Sequence, residues 1–145
     1  MIREIENLVT PGPRLTAMAD PAFRVLTSLI FIVGGLGHFG QRAEMLDRMK
    51  ESPWWDVINM IGDPNWLLWL SGAAFVVAGF ALALGWMTRL SAIILFVTLI
   101  PITITVHVAP GHVGPLFKNV AILGALFLIY CRGAGRYALD KPLDA

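Results

Sequence analysis

The sequence holds three histidines, His38, His107 and His112, and a lysine, Lys118, in strongly apolar surroundings. Imidazole both donates and accepts hydrogen bonds, and it titrates near neutral pH. At the edge of a membrane such groups can bind a quinone carbonyl, ligate zinc or copper, or relay protons. A plainer reading is that each histidine is an interfacial polar residue with no ligand. No carboxylate or thiol stands near them as a fourth metal ligand, so no metal site is assigned. Haem suits them less still, because they sit at helix ends on one face. His38, His107, His112 and Lys118 are therefore the candidate site for a quinone or other small molecule. No residue is assigned a catalytic role.

The elements that must position these groups follow from the charge distribution. The chain has 145 residues, the size of one domain, with 57% hydrophobic and 14% charged residues. A soluble domain carries about 25% charged residues. The formal net charge of +1 offers nothing to nucleic acid. Residues 66–88 carry no charge, and residues 90–108 carry none either. Shorter apolar runs occupy residues 25–36 and 120–131. A bilayer core of about 30 Å needs roughly 20 helical residues. The two short runs reach that length if Arg24 and Lys118 snorkel to the head groups. The expected architecture is all-α: a transmembrane four-helix bundle with a short surface helix in the long first outer loop. It divides into an arm at 1–21, a membrane domain at 22–140 and a tail at 141–145.

Four spans put both chain ends on one side. That side holds Arg3, Arg14, Arg24, Arg89, Arg132, Arg136 and Lys141, against Arg42, Arg48, Lys50 and Lys118 opposite. The positive-inside rule then favours cytoplasmic termini in a bacterial inner membrane and puts the histidines on the outer face. The N-terminal stretch lacks the apolar core of a cleavable signal. It suggests a short surface helix near residues 2–9. The lone Cys131 forms no internal disulfide.

The loops are unequal. A tight turn at residues 85–89 joins the second and third spans, and a Gly/Pro loop at 109–115 joins the third and fourth. Residues 40–65 form the long outer loop, where Met45, Leu46 and Met49 at helical spacing predict the surface helix. Trp54, Trp55, Trp66 and Trp69 read as interfacial anchors. Gly34, Gly35 and Gly37, then Gly72 and Gly79, then Ala121, Gly124 and Ala125 suggest close helix packing. Pro101 should kink the third span, with Thr98 and Thr105 placed to satisfy freed carbonyls. On the inner side, Asp140 is expected to pair with Arg89 or Arg136 and hold the tail to the bundle, a structural role for all three.

Several landmarks recur in a fixed order: Gly85-x-x-Thr88-Arg89, then His107, then Lys118-Asn119, then the run from Gly133 through Arg136 and Tyr137 to Asp140. In this order they resemble the DoxX family of small four-helix membrane proteins, over roughly residues 23–140. Ala138 stands where that family usually has Ser. Members also commonly carry a Glu in the second span, whereas no Asp or Glu lies between Asp63 and Asp140 here. The resemblance implies kinship with the large subunit of a thiosulfate:quinone oxidoreductase, and so a redox-linked subunit near the quinone pool. The chain has no flavin, haem or iron–sulfur motif, so it carries no intrinsic cofactor and electrons would come from a partner. The expected partners are the lipid bilayer and other membrane or redox subunits, with no nucleic acid. The alternative is a non-enzymatic accessory subunit of a larger membrane complex.

Overall fold

A computed structural model describes residues 2–108 and 113–140. Among the described residues every regular element is helical. Four helices are long and apolar enough to cross a membrane. These are α2 (Pro13–Gly40), α5 (Pro64–Leu84), α6 (Thr88–Ile102) with the π-helical turn Thr103–His107 that continues it, and α7 (Val113–Arg132). They alternate in direction, so the two ends of the described chain lie at one end of the bundle.

The first span starts earlier than the charge pattern suggests. Pro13 occupies the first turn of α2, where a missing N–H costs nothing. The helix then runs straight through Pro21, which is buried. A proline there loses one backbone bond and crowds the carbonyl of Ala17, yet packing holds the helix together. With 28 residues it is about 42 Å long, more than a bilayer core requires. The arm thus shrinks to α1 (Ile2–Val9), where the sequence predicts a helix, and a short link.

The tightest pair is α2 with α5, and three glycines explain it, Gly35, Gly72 and Gly79, the last of which sits against Ile32. A Cβ on Gly35 would lie 2.8 Å from the Gly72 carbonyl oxygen, and one on Gly72 would lie 2.8 Å from His38 Cβ. Only hydrogen at these positions permits such an approach. The core continues through Phe31 and Phe75, edge to face at 5.1 Å, to Leu82, Leu95 and Leu126. The fourth span differs from expectation. It packs through Asn119, Leu126 and Ile129, while nothing lies within 4 Å of a Cβ placed on Gly124. Ala121 and Gly124 are exposed and Ala125 is half-buried, because the stripe of Asn119, Leu126 and Ile129 occupies the inner side.

The long loop folds as two helices rather than one. The expected α3 (Arg42–Lys50) is joined by α4 (Trp55–Ile61). Trp55, Val57 and Ile58 are weak helix formers, so local propensity gives little sign of α4. Tertiary packing supplies it: Met49, Ile58 and Leu68 form a small core under the loop. Together α3 and α4 make a cap over the end of the bundle that carries His38 and His107.

Pro101 is expected to kink the third span; regular α-helix instead ends one residue after it, and a π-helical turn begins at Thr103. The threonines act differently. Thr98 and Thr105 donate to the carbonyls of Ile94 and Pro101, both at 2.7 Å. The carbonyl that Pro101 cannot reach is that of Val97, four residues back. The hydroxyls therefore back-bond within their own turns and do not replace the missing bond.

Candidate functional site

Where α5 and α6 part near Pro101, the cap encloses a cavity of about 430 Å³. Its lining is mainly apolar, drawn from α2, α3, α4, α5 and the third span with its π-helical turn. His38, Arg48, Ser71, Thr98, Thr105 and His107 supply polar groups. A volume of this size suits a small organic ligand.

His38 is buried near the end of α2 and fixed from α5. Its Nδ1 lies 3.2 Å from the Leu68 carbonyl oxygen and 3.0 Å from Ser71 Oγ. A carbonyl only accepts, so a neutral ring places its proton on Nδ1. Nε2 is then an acceptor, suited to a hydroxyl or hydroquinone O–H. On protonation it becomes a donor, suited to a quinone carbonyl. Phe75 lies beside the ring, with centroids 5.5 Å apart.

His107 reaches the same cavity from the π-helical turn. Two contacts hold that turn in place. Ser52 Oγ donates from the cap to the Thr105 carbonyl. Asn119 Nδ2 donates from α7 to Thr103 Oγ1 at 3.0 Å. The sequence separates the two histidines by most of two spans, and the fold brings them to one cavity.

The other two candidates are not brought there. Lys118 is exposed and does not line the cavity. Its neighbour Asn119 takes the inward position. His112 lies outside the described residues. Ser71, Arg48, Thr98 and Thr105 are the polar cavity groups that sequence reasoning missed. Serines, threonines and surface arginines carry no signal without their neighbours. Among the described residues no three His, Cys, Asp or Glu side chains gather as a metal-holding group.

The opposite end is structural. Arg24 is 3% exposed and donates to the carbonyls of Ala83, Ala134 and Tyr137. It ties the segment after α7 to α2 and α5 and does not snorkel. Gly85 turns with φ +68°, and a Cβ there would sit 2.5 Å from Ala138 Cβ. The 85–89 turn and the C-terminal signature are thus two halves of one contact, which requires small residues on both sides.

The role expected for Asp140 is met by different partners. Its carboxylate accepts from the backbone N–H groups of Met87 and Thr88, both at 2.7 Å. The N-cap residue of α6, Met87, offers no side-chain cap of its own. A carboxylate at a helix N-terminus meets unpaired donors and the positive end of the dipole. Burial raises the Asp140 pKa, but hydrogen bonds from Thr88 and Met87 and the charge of Arg24 outweigh it and leave the carboxyl below its ordinary value. Arg89 instead lies over Gly133, and the exposed Arg136 shares the surrounding groove. At the capped end, hydrogen bonds from Asn65 likewise hold Asp63, the N-cap of α5, below the usual carboxylate range.

Comparison with protein families finds that the DoxX family model matches residues 19–108, which span α2 through the π-helical turn. No curated protein and no solved structure matches the chain.

Proposed function

The chain belongs to the DoxX family, and from that premise we propose that it is a redox-linked membrane subunit that binds a quinone beneath the cap. The observation that carries this reading is the convergence of His38 and His107 on one mostly apolar cavity. An apolar chamber takes up the ring, and His38, when protonated, donates from Nε2 to a quinone carbonyl. A partner subunit supplies two electrons, and reduction to the hydroquinone takes up two protons, the first from His38 and the second from water.

The orientation follows from charge. The end that carries Arg24, Arg89, Arg132 and Arg136 faces the cytoplasm of a bacterial cell, and the cap faces outward.

The test is direct. The full-length protein in lipid nanodiscs is titrated with tail-less 2,3-dimethoxy-5-methyl-1,4-benzoquinone, and tryptophan quenching is followed, since Trp55 packs in the cap. Saturable quenching is expected, with affinity weakened about tenfold in His38→Ala, the equivalent of one good hydrogen bond. The absence of saturable binding to the unaltered protein would sink the reading.

A further inference from the structure

The cavity is not sealed on all sides. On the cap side Met49 and Ile58 are buried, while Arg48 and Ile61 line the cavity and are exposed. A second opening lies between α5 and α6, where Leu70 lines the cavity and is 70% exposed, and Pro101 also lines it and is exposed. These residues lie within spans, so the medium they meet is lipid.

The depth of the rim follows from helix rise. Ala74 stands ten residues beyond Pro64, the start of α5. At 1.5 Å per residue that is about 15 Å below the start of the helix, half of a bilayer core. Thr98 reaches a similar depth from the other side, nine residues before the end of the π-helical turn.

The cause of the gap is local. Toward the turn at residues 85–87, α5 and α6 are closed by Ala78, Leu82, Ala92 and Leu95. Beyond Leu99, Pro101 ends the regular helix and the backbone widens into π geometry. Ala74 opposite is too small to fill the space. His38 and Ser71 are fixed together at one wall and Arg48 comes from the cap, whereas Leu70, Ala74 and Pro101 line the gap, where the hydroxyls of Thr98 and Thr105 are bonded to backbone carbonyls of their own helix.

From this layout we infer that the cavity is loaded sideways from the bilayer through the α5–α6 gap. Its ligand is a membrane-dissolved quinone with a long apolar tail. The ring sits by His38 and the tail leaves past Leu70 and Ala74 into the acyl chains. This rests on the quinone reading and adds to it the direction of access and the requirement for a tail.

The test compares two quinones in nanodiscs: the tail-less 2,3-dimethoxy-5-methyl-1,4-benzoquinone and its decyl derivative. Each is measured with the unaltered protein, with Leu70→Trp at the exposed rim, and with Ala74→Phe inside the gap. Leu70→Trp replaces a lipid-facing side chain, so it keeps the test valid if Ala74→Phe does not fold. The ratio of variant to unaltered affinity, taken for each quinone, cancels membrane partitioning. The expected result is a loss of about tenfold for the decyl compound, with the tail-less compound changed by less than about twofold. Equal effects on the two compounds, or no effect on either, would overturn sideways loading while leaving the quinone site standing. If the unaltered protein binds neither compound, both this inference and the quinone reading fall.

Discussion

Replacing Arg24 by Met removes the guanidinium and keeps a long, flexible apolar side chain. Three carbonyls then lose a charged donor: those of Ala83, Ala134 and Tyr137. A hydrogen bond to a charged group contributes about 1.5–3 kcal/mol, and such bonds on one side chain are not additive. A combined cost of about 3 kcal/mol is a conservative figure. It falls mainly on the tail, because Ala134 and Tyr137 belong to the segment after α7. That segment retains two backbone bonds, Leu139 N to Leu84 O at 3.2 Å and Asp140 N to Gly85 O at 2.7 Å, which lack the anchor beside them once Arg24 is gone. Limited trypsin digestion reads the outcome, since Arg136 lies within the pinned segment and Arg132 just before it. When opening is fast relative to cleavage, the rate follows the open population. A loss of 3 kcal/mol then corresponds to cleavage about a hundredfold faster at Arg136 in Arg24→Met. Arg24→Lys keeps the charge but not the fork of donors, so its rate should fall between the two. Cleavage of Arg24→Met at the rate of the unaltered protein would refute the claim that Arg24 anchors the tail.

Other outcomes follow from the same geometry. The depressed pKa of Asp140 means its contribution is complete above the ordinary value of 3.8 and is lost as pH falls through the lower folded value. Tail protection from an acid-active protease should therefore collapse only in that acid window, and Asp140→Asn should lose it already at neutral pH. Gly35→Ala places a methyl against the Gly72 carbonyl, and a thermal melt in detergent should show destabilisation of about 1–3 kcal/mol. Gly124→Ala meets open space, and its melt should match that of the unaltered protein. Lys118→Ala should leave quinone affinity within about twofold, because the side chain is exposed and away from the cavity. A tenfold loss in that variant would put Lys118 back in the site.

The spans were legible because lipid imposes a rule that acts on sequence directly: an uncharged run of sufficient length must be a helix. The same rule placed the histidines near one membrane face, and the helical spacing of Met45, Leu46 and Met49 marked a surface helix in the outer loop. It could not see α4, whose residues favour helix weakly and are held by Met49 and Leu68. It misread Arg24 as a snorkelling residue, because a buried and a snorkelling arginine look alike until their acceptors are known. It gave Asp140 an arginine partner, because pairing of opposite charges is visible in sequence while the bare N–H groups of a helix start are not. It also assigned close packing to the small residues of the fourth span, whereas the structure uses Gly35, Gly72 and Gly79 and leaves Gly124 idle.

Sequence by itself determined the number of spans, their alternation and the ends of the bundle at which His38 and His107, and Arg24 and Arg89, sit. Those properties depend on composition along the chain and on a fixed rise per residue. Tertiary structure decided which of those residues meet. His38 and His107 share a cavity while Lys118 turns away, because rotation about each helix axis is set by packing against neighbours: Gly35 on Gly72, and Asn119 on Thr103. A rotation of one residue, 100°, separates Lys118 from Asn119 on α7, and nothing short of the packed bundle selects which of the two faces inward.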